Sequence, residues 1–448
     1  MGSLLGAART VRESMAGHTL WNVNSTASGG GVAEMLRVLV GYATGAGVSV
    51  RWTVIEADER FFVITKRIHH WLHGANGDGA PLGESDVAHY NRVIENNGQL
   101  LRRRMRPGDI VVLHDPQTAG LIPILVTFGA TVVWRCHIGA VAANDNTHQA
   151  WSFLRPYLDL AEAFVFSRAE YAPRWMPPAK VWVIPPSIDP FSPKNQELDD
   201  SNVRAIMRRI GLLDDRTVTN SAGFTRRDGT TGEVLRRASI VASAGPPSRE
   251  TPLVVQVSRW DPLKDMGGVM EAFARVAHDT DAHLALVGPA VAGVGDDPEG
   301  AHVLAECIAR WRKLSSSTRD RIALVSLPMV DIDENAAMVN AIQRHACVVV
   351  QKSIAEGFGL TVAEAMWKRR AVVASDVGGI PDQIGPGTGV LLADPSDLDA
   401  TGAEIMRLVI DAGRRATLGA AAHEHVRANF VGDLHLIRFA ELLGELIQ

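Results

Sequence analysis

The chain has 448 residues, and at roughly 100 to 200 residues per domain this length predicts two domains, with three as the upper bound. Hydrophobic residues make up 46% of the chain, charged residues 21%, and the mean hydropathy is +0.03, which allows large packed cores and excludes a disordered chain. A formal charge of -5 and a pI near 6.3 argue against a nucleic-acid-binding protein and against a polybasic membrane protein, because both need excess positive charge.

The cysteines and the first residues bear on the cellular compartment. Three cysteines, Cys136, Cys307 and Cys347, lack the C-x-x-C spacing of a metal site, so we expect neither a disulfide framework nor a structural zinc site. The first residues lack the apolar core and the cleavage site of a secretory signal, and no apolar run reaches the ~18 residues that cross a bilayer. These features predict a cytoplasmic protein with no membrane partner.

The first half of the chain alternates between predicted strands and helices. Its β-branched runs span residues 48–56, 109–114, 131–136, 163–167 and 181–184. This alternation predicts a parallel sheet, and the continuous apolar character of the strands predicts helices on both faces. We therefore expect residues 1–190 to form a doubly wound, Rossmann-like α/β domain.

The middle of the chain is rich in proline and glycine. Four prolines within residues 184–193 exclude a regular helix or a central strand there. The segment that follows is polar, and Asp228-Gly229 predicts a turn that closes a small hairpin. We interpret residues 191–250 as a linker and insertion.

A second alternation of strands and helices follows. Its predicted strands span residues 253–257, 284–287, 321–326, 347–351 and 371–375. Residues 251–429 are therefore predicted to form another Rossmann-like domain, and an amphipathic helix at about residues 430–448 is expected to pack back on the first one. Two such domains predict a central ligand cleft at the carboxyl ends of their strands.

A glycine-containing turn in the second domain leads from a strand into a helix. The turn and the helix start comprise Glu356, Gly357, Phe358, Gly359, Leu360 and Thr361. The glycines let the backbone approach a ligand, and the first N–H groups of the helix can bind phosphate oxygens. Glu356 and Glu364 are spaced to bind a hexose and a ribose of one extended ligand, although a capped helix with a solvated Glu364 would give the same pattern.

Two cations follow the strand at residues 253–257. Arg259 offers a fork for phosphate oxygens and Lys264 a point charge, so together they can neutralise a diphosphate and the charge that grows on it as it departs. On its own, this pair also fits a solvated loop.

Polar and glycine-rich segments also follow strands of the first domain. Gly29-Gly30-Gly31 lacks the G-x-G-x-x-G spacing, yet its backbone N–H groups can meet an anion or a sugar; a flexible surface turn is the alternative. Two further clusters, His114-Asp115-Pro116-Gln117 and His137-Ile138-Gly139, carry groups that can pair with sugar hydroxyls. A satisfied core histidine is the alternative for each His.

Asp331 and Asp333 form a D-x-D pair that could hold Mg²⁺ on a diphosphate. Because Arg259, Lys264 and the helix start already supply positive charge, we interpret these aspartates as loop residues. The sequence therefore predicts no metal site and no required cofactor, while Mg²⁺ is allowed but not implied.

Together these motifs resemble the retaining glycosyltransferases of family 4, which have the two-domain GT-B fold. The Glu, seven residues, Glu signature stands at Glu356 and Glu364, and the cation pair at Arg259 and Lys264. Further stretches are similar to the trehalose glycosyltransferring synthases, namely residues 25–36, 114–117, 134–138, 185–195, 296–300 and 356–367. The resemblance covers nearly the whole chain except residues 200–250.

This resemblance implies transfer of glucose from a nucleotide diphosphate glucose to glucose, with retention and formation of α,α-trehalose. ADP-glucose, UDP-glucose and GDP-glucose all stay open as donors, and a homodimer is one alternative for the assembly. The implied catalytic residues are Arg259 and Lys264 for the diphosphate, Glu356 for the donor sugar and His137 near its 6-hydroxyl. Other implied donor contacts are Glu364 for the ribose and Gly30, Gly31, Gly357, Phe358, Gly359, Leu360 and Thr361. Acceptor contacts are implied for His114, Asp115 and Gln117.

Two positions depart from the family pattern. Asp265 follows Lys264 where relatives commonly have Gly, which is expected to bring a negative charge near the phosphates. Gly139 stands where relatives have Asp, which removes a carboxylate near the sugar site.

Three other functions stay open: a trehalose phosphorylase, a transferase with another small acceptor such as a cyclitol, and a non-catalytic sugar-nucleotide sensor.

Overall fold

The computed structural model describes residues 6, 9, 11–13, 15, 17–27, 31–218, 220–291 and 299–447. The chain divides into two compact units. The first comprises Met1–Ser187 with Gly432–Gln448, and the second comprises Ile188–Val431. Each is built on one large sheet covered by helices, as the alternation of strands and helices predicts. Among the residues described, no helix is both long and apolar enough to span a bilayer.

The first unit has a six-stranded sheet in which all pairs are parallel, in the order β2-β1-β3-β4-β5-β6. Its strands are β1 (Leu20–Asn24), β2 (Val50–Val54), β3 (Ile110–His114), β4 (Thr131–Cys136), β5 (Ala163–Phe166) and β6 (Val181–Val183). Its helices are Gly31–Gly45, Glu59–Leu72, Glu84–Arg102, Pro116–Ala119, Leu121–Phe128, Asp145–Leu158 and Gly432–Leu446. The C-terminal helix therefore belongs to the first unit.

Successive residues of these strands enter two different cores, because side chains alternate across a sheet. Val111 and Leu113 of β3 pack with the helices Glu59–Leu72 and Asp145–Leu158. Val112, between them, packs on the opposite face, where Leu442 and Leu443 of the C-terminal helix complete the core. Both faces of β3 are thus buried, which explains its uninterrupted apolar sequence.

The second unit has a seven-stranded sheet in the order β15-β14-β13-β10-β11-β12-β9, parallel except for the antiparallel edge strand β9. Its strands are β9 (Ser239–Val241), β10 (Leu253–Val257), β11 (His283–Pro289), β12 (Ile322–Leu327), β13 (Val348–Gln351), β14 (Ala371–Ser375) and β15 (Val390–Leu392), and a separate hairpin pairs β7 (Gly223–Thr225) with β8 (Thr231–Glu233). Its helices are Asp200–Ile210, Met266–Val276, Gly300–Arg312, Ser316–Arg319, Ile332–His345, Leu360–Trp367, Ile380–Gln383, Leu398–Ile410 and Ala412–Asn429.

Residues 191–250 differ from the expected linker and insertion, because the structure makes them part of the second unit. The helix Asp200–Ile210 buries Ile206 and Met207 in the main core of that unit. Strand β9 extends the sheet by pairing with β12. The Asp-Gly turn does close a hairpin, in which Gly229 has φ of 82°. The strands of this segment are three residues long, which is too short for periodicity to predict their place in a sheet.

Candidate active site

The sequence-predicted donor residues of the second unit follow β10 and β13, which are neighbours in the second sheet. Nζ of Lys264 donates to Oε2 of Glu356 at 2.6 Å, and Oγ of Ser353 lies 3.3 Å from the same oxygen. Arg259 is partly exposed, and its Nη2 lies 3.7 Å from Oδ2 of Asp261. The structure therefore brings Lys264 and Glu356 into direct contact, with Arg259 on the same loop as Lys264.

Glycine is required in the turn after β13, at Gly359, and at Gly379, which follows β14 and contacts this turn. Gly359 has φ of 85° immediately before the helix Leu360–Trp367, and a Cβ there would lie 3.2 Å from Cγ of Glu356. The N–H of Gly379 donates to the carbonyl of Gly357, and a Cβ on Gly379 would lie 2.8 Å from that oxygen. Leu360 and Thr361 open the helix, where backbone N–H groups have no carbonyl partner within the helix.

Phe358 is placed differently from the rest of this turn. Its side chain is 5% exposed and its ring packs against Phe430, with centroids 5.6 Å apart. The side chain of Phe358 therefore belongs to the core and not to a ligand contact.

Asp265 does not leave an unpaired negative charge beside Lys264. It adopts the left-handed conformation with φ of 45°, and its Oδ1 accepts from the N–H of Gly268, which caps the helix Met266–Val276. Its Oδ2 accepts from Nζ of Lys352, whose side chain is 1% exposed. The negative charge expected at Asp265 is thus paired with a buried lysine, Lys352, which the sequence motifs did not indicate although it directly precedes the turn.

Gln256 connects the two loops. Its side chain is fully buried, its Nε2 donates to the carbonyl of Lys264 at 2.6 Å, and its Oε1 accepts from the N–H of Lys352 at 3.2 Å. A buried amide whose groups are paired with both loops holds them in one register. Nothing in the sequence pattern of β10 singles out this residue except that it is polar within an apolar strand.

Glu364 is buried on the second turn of its helix, and its Oε1 lies 3.0 Å from Nζ of Lys194. Lys368, one turn further, is also buried, and desolvation lowers its pKa to about 7. Nζ of Lys368 donates to Oδ1 of Asn195 at 2.9 Å and to Oε1 of Gln343 at 2.8 Å. Lys194 and Asn195 lie in the family-like stretch at residues 185–195, which is the one signal that could have found them.

The predicted acceptor residues follow β3 and β4 of the first sheet. Asp115 has φ of 64° and ψ of 178°, a region that non-glycine residues rarely adopt, and its Oδ1 accepts from the N–H of His137 at 2.7 Å. Desolvation raises the pKa of the Asp115 carboxyl to about 7, against the opposing effects of that hydrogen bond and of the Arg135 charge. Nδ1 of His114 lies 3.1 Å from Nε2 of His137. A strained backbone, buried polar side chains and hydrogen bonds between them thus occur together at the carboxyl ends of β3 and β4.

Gln117 lies on the short helix Pro116–Ala119, beside Asp115. Its Oε1 is buried and has no hydrogen-bond partner within the described part of the chain. Because a buried acceptor without a partner is costly, this oxygen is a place where a ligand hydroxyl would be stabilised.

Three glycines of the first unit were singled out from the sequence: Gly30, Gly31 and Gly139. Gly31 is the first residue of the helix Gly31–Gly45, whereas Gly30 lies outside the described residues. Gly139 packs against Tyr171, and a Cβ there would lie 2.1 Å from Cγ of that ring. Tyr171 is 2% exposed, so it occupies the space that a carboxylate side chain at position 139 would need.

The D-x-D pair is held by arginines of the hairpin. Asp331 accepts from both Nη atoms of Arg226, at 3.1 and 2.8 Å, and caps the helix Ile332–His345. Asp333 accepts from the N–H of Arg227 and pairs with its side chain. Among the described residues, no cluster of His, Cys, Asp or Glu could hold a metal ion.

Comparisons with known proteins identify similar sequences for both halves of the chain. Residues 22–173 match the trehalose synthase N-terminal domain family, and residues 251–411 match the glycosyl transferases group 1 family. The trehalose synthase of Rubrobacter xylanophilus is 34% identical, covering 98% of this chain and 94% of the relative. That of Pyrococcus horikoshii is 33% identical over 97% and 91%. A trehalose phosphorylase from Pleurotus sajor-caju is 26% identical over 92% of this chain but only 55% of its own length.

Solved structures show the same fold. A sucrose-phosphate synthase from Thermosynechococcus elongatus gives a TM-score of 0.66 at 17% identity, covering 96% of this chain and 99% of the other. An α,α-trehalose-phosphate synthase from Burkholderia vietnamiensis gives 0.66 at 14% identity, covering 96% and 98%. At these identities the likeness concerns the fold alone.

Proposed function

We propose that this chain, which belongs to the trehalose synthase family of glycosyltransferases, transfers glucose from a nucleotide diphosphate glucose to free glucose and forms α,α-trehalose. Membership of this family shows that the chain is a hexosyltransferase of trehalose metabolism. The identities of the donor and of the acceptor are our proposal. The observation that carries it is the contact between Lys264 and Glu356 beside a helix start. It sets a cation suited to a diphosphate next to a carboxylate suited to sugar hydroxyls.

The donor would be held by the second unit. Arg259, Lys264 and the N–H groups of Leu360 and Thr361 offer positive charge to the diphosphate. Glu356 accepts hydrogen bonds from the glucose hydroxyls, and Glu364 accepts from the ribose, with Lys194 as its charge partner.

The sugar groups would also meet polar residues of the first unit. We assign Asp115 and Gln117 to the acceptor glucose and His137 to the donor glucose near its 6-hydroxyl. His114, also predicted as an acceptor contact, is 2% exposed and has both ring nitrogens paired within the first unit, so it is not assigned to the acceptor. The unpartnered oxygen of Gln117 supports this assignment, because a hydroxyl donor would satisfy it.

Chemistry would proceed on one face of the donor sugar. The bond between the anomeric carbon and the diphosphate oxygen breaks, and a bond to O1 of the acceptor forms on the same face. The acceptor proton passes to the departing diphosphate. The protein then contributes positioning and charge stabilisation, chiefly from Arg259 and Lys264, rather than a covalent nucleophile.

We further propose that no metal ion takes part. The diphosphate charge is offset by Arg259, Lys264 and the helix start. The aspartates that could have recruited Mg²⁺, Asp331 and Asp333, are engaged by Arg226 and Arg227.

Product analysis tests the proposal against its nearest rival. The purified chain should release nucleoside diphosphate from a nucleotide glucose when glucose is added, and phosphate should not be needed. Glucose 1-phosphate formed from trehalose and phosphate would instead make it a trehalose phosphorylase, the function named for the Pleurotus relative. Release of nucleoside diphosphate with a cyclitol but not with glucose would assign another acceptor. Tight binding of the donor without either reaction would indicate a non-catalytic sugar-nucleotide sensor.

A further inference from the structure

Three polar side chains form a hydrogen-bonded row at the carboxyl ends of the first sheet. Nε2 of His114 lies 3.2 Å from Oδ1 of Asn22, and Nδ1 of His114 lies 3.1 Å from Nε2 of His137. The two imidazole rings are nearly parallel, at 9°, with centroids 5.4 Å apart. That separation is the sum of the nitrogen–nitrogen distance and two ring radii, so the rings meet edge to edge, as an N–H···N hydrogen bond requires.

The row determines which ring nitrogens carry protons. A neutral imidazole has one N–H donor and one acceptor nitrogen. The carbonyl oxygen of Asn22 can only accept, so Nε2 of His114 donates to it and Nδ1 of His114 is an acceptor. Nε2 of His137 must then donate to His114. The proton of His137 is thereby placed on Nε2, and its Nδ1 keeps a lone pair.

Both histidines are held neutral by their surroundings. Arg135 is 1% exposed and lies on β4 opposite His114, with their backbones in register. Its Nη1 lies 3.2 Å from Nε2 of His435, whose Nδ1 donates to the carbonyl of Pro185. Desolvation, followed by the charge of Arg135, lowers the pKa of His114 and of His137 well below the ordinary value. A second positive charge beside this buried guanidinium is therefore disfavoured.

The free nitrogen of His137 is the end of the row that can reach a ligand. Among the described residues, Nδ1 of His137 has no hydrogen-bond partner, and the residue is partly exposed. Its backbone is held by the N–H bond to Asp115. We propose that Asn22 and His114 are positioning residues that hold His137 as the Nε2–H tautomer, so that Nδ1 accepts a hydrogen bond from a sugar hydroxyl.

This inference deepens the proposed function and rests on it for the identity of the ligand. An acceptor nitrogen requires a ligand group with a hydrogen to donate. A hydroxyl meets that requirement, whereas a fluorine or a methyl ether at the same carbon does not. The row would thereby select a free hydroxyl on the sugar that His137 contacts.

The test is nitrogen NMR of the full chain with ¹⁵N-labelled histidine, in which the signals of His137 are identified by their loss in His137→Gln. We expect, without substrate, a protonated Nε2 and a non-protonated Nδ1 for His137. Adding a nucleotide glucose should move the Nδ1 signal toward lower frequency as a hydroxyl donates to it. A protonated Nδ1, or an Nδ1 signal that saturating donor does not move, would overturn the inference.

A variant separates positioning from mere stability. Asn22→Leu removes the acceptor that orients His114, so His137 should lose its single tautomer and the KM for the sugar substrate should rise about tenfold, the effect of one hydrogen bond. Asn97→Leu is the matched control, because Asn97 is a buried asparagine of the same unit that pairs with Glu56 and Val93. It should lower stability and leave the His137 signals unchanged. If Asn22→Leu does not fold, the spectrum of the wild-type chain still tests which nitrogen of His137 carries the proton.

A failure of this inference can be distinguished from a failure of the proposed function. The first spectrum is recorded without substrate, so a wrong tautomer contradicts this inference alone. A correct tautomer in a chain that transfers no glucose contradicts the proposed function instead.

Discussion

Nζ of Lys264 lies 2.6 Å from Oε2 of Glu356, a contact that joins the loops after two neighbouring strands of the second sheet. The pair links the cation assigned to the diphosphate with the carboxylate assigned to the sugar. In the proposed function, one ligand would offer phosphate to Lys264 and hydroxyls to Glu356.

Lys264→Ala should lower kcat by about 100-fold or more, because it removes a charge that stabilises the departing diphosphate. The fold should survive, since the backbone of Lys264 keeps its bond to Gln256. Lys313→Ala, at an exposed lysine of the same unit, is the charge-matched control and should retain activity. Steady-state kinetics checks both; near-normal turnover of Lys264→Ala would remove the basis for the donor assignment.

Asp265→Gly should destabilise the chain although it installs the residue common in relatives. Glycine relieves a left-handed backbone that costs about 1 kcal/mol, but it leaves Lys352 buried without its carboxylate, and breaking such a pair costs about 3 kcal/mol or more. We expect a net loss of about 2 kcal/mol in the free energy of unfolding, measured with urea. Adding Lys352→Met should recover most of it. A stabilised Asp265→Gly variant would show that the ion pair contributes nothing.

Gly139→Ala should cost about 1 to 3 kcal/mol of stability, because its Cβ would overlap the ring of Tyr171. In a Tyr171→Ala background the same substitution should cost much less, and a double-mutant cycle of unfolding free energies measures the difference. Equal costs in both backgrounds would mean that Tyr171 does not occupy this space. The cycle therefore tests why the aspartate of relatives does not fit here.

Asp115→Asn should gain stability over the wild type as pH rises. Desolvation raises the pKa of Asp115 in the folded chain to about 7, above the ordinary value of 3.8. Protonation of Asp115 therefore stabilises the folded state. This contribution to the free energy of unfolding is fully present below pH 3.8 and is lost as the pH rises toward 7. Asparagine keeps an oxygen for the N–H of His137 and has no such titration. The stability difference in favour of the variant should therefore grow by about 1 kcal/mol or more between pH 4 and pH 8. A difference that does not change with pH would contradict the raised pKa.

Treatment with EDTA should leave the initial rate of transfer unchanged. In the proposed donor site, Arg259, Lys264 and a helix start would offset the diphosphate charge, and Asp331 is already paired with Arg226. Initial rates with and without the chelator, with added Mg²⁺ as the companion measurement, check this. A rate that falls with EDTA and returns with Mg²⁺ would assign a metal to the reaction.

The sequence predicted the two parallel sheets because strands buried on both faces are apolar throughout, as β3 is. It also predicted the turn from Glu356 to Gly359 and the helix that follows, since these residues are local in the chain. It missed Lys352 and Gln256, whose roles depend on β10 and β13 lying side by side. No local pattern encodes that adjacency.

The same limit explains two other differences. Tyr171 fills the space beside Gly139 from a segment 32 residues away in the chain, so the consequence of losing the family aspartate could not be read from position 139. The helix Asp200–Ile210 packs against residues of distant helices and β9 pairs with β12, so contacts between segments far apart in the chain make residues 191–250 part of the second unit. Local periodicity reports secondary structure but not which surfaces meet.

The central claim is glucosyl transfer to glucose, and a proton NMR time course tests it most directly. The purified chain is mixed with glucose and with ADP-, UDP- and GDP-glucose together. The account predicts the single anomeric signal of symmetric α,α-trehalose, growing as one of the three donors is consumed. Consumption of a donor without that signal, or a reaction that begins only when phosphate and trehalose are supplied, would contradict it.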